Sequence, residues 1–143
     1  MRIDRAARRC ALQAMYQFDA DPGTDPEVVE ATLEGSGADE AARRAGFRLA
    51  VDAWAFRSFV DPVIERHSPD WPLRRQPMVD RNLLRLACFE IERTATPPKV
   101  AINEAIELAK EFGGEKSPGF VNAILDEIAA EGKGVEPAED ASA

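Results

Sequence analysis

The sequence has no long apolar run, a single histidine and two cysteines. A membrane-spanning helix needs about 20 mainly apolar residues in succession, and no segment of this 143-residue chain approaches that length. The charged start, MRIDRAARR, leads into no apolar signal core. The two cysteines, Cys10 and Cys88, form no CxxC pair, which disfavours a zinc site or a disulfide framework. We therefore expect a cytoplasmic protein without a membrane span, a metal or a cofactor.

Catalytic motifs are also missing from the chain. It contains no GxGxxG, GxxxxGKS, GxxxxGKT, GxSxG or HExxH. The single histidine, His67, precedes Ser68, but a histidine-assisted nucleophile also needs an orienting group and an oxyanion site. Paired acids such as Glu104 and Glu107 are expected on a solvated helix face. The sequence therefore predicts a protein that is not an enzyme.

Charge is unevenly distributed along the chain. Acidic residues outnumber basic ones by 26 to 18, which gives a net charge of -8, whereas residues 1–10 are basic. An acidic protein with a basic edge can still bind an anionic partner, because the local potential governs the contact. Residues 132–143 are small, acidic and without periodicity, so we expect them to form a disordered tail.

Apolar residues recur at helical spacing along most of the chain, and no segment alternates with a period of two. The sequence therefore predicts an all-α protein. Asp25-Pro26 and Ser117-Pro118 each predict an N-cap followed by a proline at the first helical position. Pro62 predicts a division or bend in the helical pattern around it, because a proline inside a helix removes a hydrogen bond.

Three segments carry a resemblance to a known family. The most distinctive one runs from Pro97 to Asp126 and reads PPKVAINEAIELAKEFGGEKSPGFVNAILD. Together with DRNLLRLACFE from Asp80 and RRCALQAMYQ from Arg8, it resembles the N-utilisation substance protein B (NusB) family of bacterial transcription antitermination factors. The resemblance extends from about residue 2 to residue 131, although residues 20–75 match only in helical character.

This resemblance implies a fold, a function and a set of partners. The fold would be one domain, residues 1–131, with about seven helices in two packed sub-bundles at about 1–68 and 77–131. The protein would bind the single-stranded boxA element of ribosomal RNA transcripts together with NusE, a small-subunit ribosomal protein. That pair would join other Nus factors on RNA polymerase. A homodimer is left open by the sequence.

The first candidate RNA-binding set is the arginine-rich start, Arg2, Arg5, Arg8 and Arg9. Their spacing brings Arg5 onto one helix face with Arg8 or Arg9, and the planar guanidinium suits bidentate binding of phosphate. The family resemblance implies RNA contact at these positions. The alternative is a solubilising helix edge that Asp4 balances.

The second candidate set surrounds the start of the last helix. A helix N-terminus attracts phosphate, Lys116 adds charge, and Phe120 could stack on an unpaired base. The alternative assigns Ser117 to capping and Phe120 to the core, and it leaves the role of Asn122 open. Many family members carry a Ser-His-Lys-Phe-like run where this chain has SPGF, so a polar and a basic side chain are lost here.

The resemblance also indicates a partner-binding set, Tyr16, Asp80 and Arg81. Tyrosine combines an apolar body with a polar tip and suits an interface, and Asp80 could pair with a basic ribosomal protein. The alternative is that Asp80 only favours the start of its own helix. For Asn103, we expect a structural role as a buried amide.

Two functional hypotheses follow. The first is an RNA-binding antitermination factor that acts with NusE. The second is a protein–protein adaptor of the same fold with weakened or lost RNA reading, which the acidic net charge and the Pro118-Gly119 departure would favour.

Overall fold

The computed structural model describes residues 3–132. Within this range the chain forms seven α-helices and two short 3₁₀ helices, and it contains no strand. The α-helices are Arg5–Ala20 (α1), Pro26–Thr32 (α2), Glu40–Ala55 (α3), Arg57–Arg66 (α4), Met78–Arg93 (α5), Pro98–Phe112 (α6) and Ser117–Glu131 (α7). The 3₁₀ helices are Leu33–Ser36 and Leu73–Arg75. The predicted all-α fold class is confirmed.

The chain divides into two compact units, one through Arg57 and the other from Ser58. The sub-bundle limits expected from the sequence stay a prediction. The acidic tail falls almost wholly on residues 133–143, outside the described residues. No helix in the described range is both long and apolar enough to cross a membrane.

Aspartates cap the helices of the first unit. The Asp4 carboxylate accepts a hydrogen bond from the Ala7 N–H at 2.9 Å, and Asp39 accepts one from Ala42 at 2.8 Å. Asp25 accepts from the Glu27 N–H at 2.9 Å, with Pro26 at the first helical position. Each cap satisfies a backbone donor that the helix leaves unpaired. The sequence prediction for the start of α2 is confirmed.

Close packing of α1 on α3 organises the first unit. Gly46 of α3 lies against the backbone of α1, and a Cβ at this position would stand 2.5 Å from both the Ala7 carbonyl oxygen and the Cys10 Cβ. The α1 residues nearest this position, Ala7, Cys10 and Ala11, are small and almost completely buried. Small residues on both helices therefore permit the close approach.

In the second unit, α5 packs against both α6 and α7. Leu83 and Leu84 of α5 are fully buried, as are Leu108 of α6 and Leu125 of α7. The Arg85 guanidinium of α5 also forms a bidentate ion pair with Asp61 of α4, at 2.9 and 3.0 Å. Apolar burial and this paired charge hold α4 to α7 as one unit.

The helix break near Pro62 differs from the expectation. Helix α3 ends at Ala55, and the N–H of the following residue, Phe56, donates to the carbonyls of Asp52 and Ala53. Pro62 lies inside α4. Because α4 begins at Arg57, Pro62 stands in its second turn and deprives only the Ser58 carbonyl of a helical partner. The chain therefore divides before the proline.

We predict that Gly46→Ala destabilises the protein. The added Cβ meets backbone and Cβ atoms of α1, so α1 and α3 must separate, at a cost of about 1–3 kcal/mol in the free energy of unfolding. Urea denaturation followed by circular dichroism measures this loss. Gly119→Ala is the matched control, because no atom lies within 4 Å of a Cβ there. Equal effects of the two substitutions would contradict the close-packing account.

Candidate nucleic-acid interface

The arginines of α1 separate into exposed and buried side chains. Arg5 and Arg9 are exposed and lie one helical turn apart. Arg8 is only 4% exposed, and its Nη1 donates a hydrogen bond to the Ile3 carbonyl at 3.1 Å. The burial of Arg8 argues against the expected phosphate contact, since its guanidinium holds the chain at the start of α1. Arg2 lies outside the described residues.

Ser117 is not the N-cap that the sequence predicts. It is the first residue of α7, and the N-cap is the preceding residue, Lys116. No side-chain hydrogen bond caps this helix. The Ser117 Oγ instead accepts a hydrogen bond from the Gly114 N–H at 2.9 Å and donates one to Asp80 Oδ1 at 2.7 Å. A Cβ on Gly113 would stand 2.6 Å from this oxygen, so the turn requires glycine. The hydroxyl thus joins the α6–α7 turn to the start of α5.

Both members of this bond are buried. Asp80 is 2% exposed and Ser117 is 4% exposed. Burial raises the pKa of the Asp80 carboxyl, and the hydrogen bond from Ser117 acts in the opposite direction. These positions argue against direct contacts of Asp80 with a protein partner and of Ser117 with RNA, because neither side chain reaches the surface of its unit.

Arg81 has a similar internal role. Its Nη1 lies within 3.1–3.4 Å of three carbonyl oxygens, on Leu73, Arg74 and Gln76. A guanidinium can donate to several acceptors in this way. Arg81 therefore holds the connector before α5. Of the expected partner-binding set only Tyr16 on α1 is exposed, at 44%.

The start of α7 presents the remaining candidates to solvent. Lys116 and Asn122 are exposed, whereas Phe120 is half-buried. The Phe120 ring packs edge-to-face with Trp71 at a centroid distance of 4.9 Å. Asn103 is exposed on α6, which corrects the expectation that its amide is buried.

Trp71 was not among the candidates that the sequence indicated. A signal was present, since this tryptophan stands between Pro69 and Pro72, and Arg74 and Arg75 follow three and four positions later. The candidates fall into two sets. Arg5, Arg9 and Tyr16 belong to the first unit, and Lys116, Phe120 and Asn122 belong to the second.

Neither a metal-binding cluster nor a reactive Cys88 thiol is found in the described range. Residues 3–132 contain no group of three or more histidines, cysteines or acids that could hold a metal ion. Complete burial raises the pKa of the Cys88 thiol to about 12. A thiol of this kind stays protonated and unreactive at neutral pH.

Comparisons with known proteins agree on one family. Residues 5–130 match the model of the NusB family. The transcription antitermination protein NusB of Myxococcus xanthus is 42% identical over 130 residues, which cover 87% of this chain and 93% of that protein. The structure of NusB from T. maritima superposes with a TM-score of 0.76 at 36% identity, covering 92% of this chain and 94% of that one.

A further solved structure contains both protein and RNA partners. It is a crystal structure of the antitermination factors NusB and NusE in complex with dsRNA. The matching chain has a TM-score of 0.76 and 25% identity, and the match covers 89% of this chain and 96% of that one.

The fold and these matches define an all-helical transcription factor and not an enzyme. The chain belongs to the NusB family. This confirms the resemblance that the segments from Arg8, Asp80 and Pro97 indicate in the sequence.

The raised pKa of Asp80 predicts a pH-dependent effect of Asp80→Asn. The pKa of Asp80 is higher in the folded protein than in the unfolded chain. The ionised, buried carboxylate therefore lowers the stability of the fold at pH values above the folded-state pKa. This loss disappears as pH falls below the unfolded-state pKa, where the carboxyl is protonated in both states. Asparagine keeps an oxygen that accepts from Ser117 and carries no charge. We expect the variant to be at least as stable as wild type at pH 7, with a gap that narrows in acid.

Urea denaturation at several pH values measures this gap. Asp126→Asn, at an exposed position of α7, is the control and should show no such trend. A variant at Asp80 that is less stable than wild type at pH 7 would contradict the desolvation account.

Proposed function

We propose that this protein is a transcription antitermination factor that binds single-stranded boxA-type RNA of ribosomal RNA operons together with the NusE ribosomal protein. The observation that carries an RNA and a NusE partner is the match, over 89% of this chain, to a chain from a structure of NusB and NusE in complex with dsRNA. The single-stranded boxA element is the part of the proposal that the family resemblance supplies. The exposed cations and aromatic side chains of the two units supply the chemistry that RNA binding needs.

Arg5 and Arg9 are the principal phosphate-binding candidates. Both are exposed and one turn apart, so their guanidiniums can meet neighbouring phosphates of one strand. Lys116 offers a third exposed cation in the other unit. Each phosphate that a cation neutralises on single-stranded RNA contributes about -0.7 to the slope of log affinity against log salt concentration. Three such contacts give a slope of about -2. This electrostatic contribution is modest and fits a protein that binds RNA with the help of a partner.

Base recognition is assigned to the start of α7. Single-stranded RNA is read by stacking on aromatic rings and by hydrogen bonds to base edges. Phe120 has a partly open ring, and the exposed Asn122 amide, two positions further along α7, can both donate and accept. Ser117 acts indirectly, because its buried bond to Asp80 fixes the turn that carries Lys116.

NusE binding is assigned to α1 through Tyr16. Interface energy is concentrated in a few aromatic or arginine side chains, and Tyr16 combines an exposed ring with a hydroxyl. The net charge of -8 favours association with a basic ribosomal protein. The complex would then join RNA polymerase and other Nus factors in the cytoplasm.

The adaptor hypothesis has one supporting observation. Gly119 is exposed, and no atom lies within 4 Å of the position where its Cβ would be. A longer side chain would therefore point to solvent from α7, so Pro118-Gly119 removes surface groups that could touch RNA. An adaptor would bind NusE and leave RNA reading to other proteins.

We predict that Arg5→Ala/Arg9→Ala weakens binding of boxA RNA in the presence of NusE. Each lost phosphate contact should reduce the log–log salt slope by about 0.7. Fluorescence anisotropy of a labelled RNA across a salt series gives the affinity and the slope. Arg44→Ala/Arg48→Ala is the matched control, because it removes the same charge from two exposed arginines one turn apart on α3 of the same unit.

An unchanged affinity and slope in the Arg5/Arg9 variant, with NusE still bound, would contradict the RNA-binding proposal. It would support the adaptor. An equal loss in the Arg44/Arg48 control would reduce the effect to net charge.

We predict that Tyr16→Ala weakens NusE binding by roughly tenfold or more, the loss typical of a central interface residue. The fold should persist because Tyr16 is 44% exposed and lies outside the buried core. Isothermal titration calorimetry with purified NusE measures the change. Val28→Ala removes a different exposed apolar side chain of the same unit and serves as the control. Unchanged binding in the Tyr16 variant would remove this residue from the interface.

A further inference from the structure

The connector between α4 and α5 presents an aromatic and basic surface that no candidate set includes. Trp71 is 37% exposed, and Arg74 and Arg75 are exposed. The indole ring of Trp71 packs edge-to-face with Phe120 of α7. We call Trp71, Phe120, Arg74 and Arg75 the tryptophan platform.

The platform stands on a rigidly held segment. The Gln76 amide is buried and donates to the Trp71 carbonyl at 3.0 Å and to the Ser68 hydroxyl at 3.2 Å. The Ser68 hydroxyl donates in turn to the Ile64 carbonyl at 2.9 Å. A segment held in this way loses little conformational freedom when a ligand binds, which favours affinity.

Additional bonds fix the arginine side of the connector. The Leu73 N–H donates to the Glu65 carboxylate at 3.1 Å, and Arg81 donates to the carbonyls of Leu73 and Arg74. The backbone that carries Arg74 and Arg75 is therefore positioned, while their side chains extend into solvent.

Trp71 is only partly covered by its neighbours and keeps surface available for a ligand. Phe120 covers part of the indole and leaves more than a third of the residue in water. Three arginines, Arg74, Arg75 and Arg81, outnumber the two acids at the connector, Asp70 and Glu65. The connector is therefore locally basic in a chain of net charge -8. An aromatic ring beside cations is the combination that binds an unpaired base together with its phosphates.

We propose that the tryptophan platform binds a single-stranded segment of RNA, with one unpaired base stacked on Trp71 and the adjoining phosphates paired with Arg74 and Arg75. The inference rests on the proposed RNA-binding function and adds a recognition surface to it. The Trp71–Phe120 pair then extends the stacking role of Phe120 by a second ring. Duplex RNA does not fit the platform, because its bases are already stacked and paired.

The test uses the intrinsic fluorescence of Trp71. The chain has two tryptophans, so Trp54→Phe leaves Trp71 as the reporter. The variant Trp54→Phe/Trp71→Phe has no tryptophan and serves as the blank. Its emission in the presence of NusE is subtracted, so that only the Trp71 signal remains. We expect a single-stranded boxA RNA, added with NusE, to quench the Trp71 emission, and the same sequence as a duplex to leave it unchanged.

Affinity measurements separate stacking from charge. Trp71→Ala should weaken single-strand binding by about 5- to 150-fold, the range for one stacked base, and the loss should not depend on salt. Trp71→Phe keeps an aromatic face and should recover most of the affinity. Arg74→Ala/Arg75→Ala should cause a loss that shrinks as salt rises. Where Trp71→Ala fails to fold by circular dichroism, the quenching experiment decides.

Three results would overturn the inference. The first is RNA binding that leaves the Trp71 emission unchanged and is equally tight for wild type and Trp71→Ala. This result would show that the platform does not bind RNA and would leave the proposed function intact. Quenching by NusE alone, without RNA, would identify the platform as a protein-binding surface. No binding of any RNA in the presence of NusE would refute both the inference and the proposed function.

Discussion

A buried hydrogen bond, from the Ser117 hydroxyl to the Asp80 carboxylate at 2.7 Å, fixes the start of α7 against α5 in the second unit. The same hydroxyl receives the Gly114 N–H, so one oxygen connects the α6–α7 turn to the first turn of α5. Gly113 permits the approach, since any side chain there would overlap Ser117. The position at which α7 begins therefore depends on this contact, and the directions of Lys116 and Phe120 follow from it.

The polar residues of the protein divide into those that brace the fold and those that face solvent. Arg8, Asp80, Arg81 and Ser117 satisfy internal donors and acceptors, and buried polar groups need such partners. Arg5, Arg9 and Lys116 remain exposed. Cations carried by well-packed helices favour phosphate binding, because the backbone beneath them loses little conformational entropy when the ligand binds.

Much of the fold could be predicted from the sequence because helical periodicity is a local property. The Asp25-Pro26 pair predicts a capped helix start, and α2 begins there. Ser117 shows the limit of such reasoning, since a serine before a proline indicates a cap, whereas its hydroxyl binds Asp80, 37 positions earlier in the chain. The burial of Arg8 and Asp80 and the exposure of Asn103 and Trp71 likewise depend on tertiary packing, which local spacing does not contain. Family resemblance indicated the candidate residues, and only the structure separated the buried from the exposed ones.

The central claim is that this protein and NusE together recognise a specific RNA. The most direct measurement is fluorescence anisotropy of labelled boxA RNA and of a scrambled RNA, each with and without NusE, at two fixed salt concentrations. The account predicts tighter binding of boxA RNA when NusE is present, a preference over the scrambled RNA and a shallow dependence on salt. Absent binding, or equal affinity for the two RNAs, would contradict it and leave an adaptor with the fold of the NusB family.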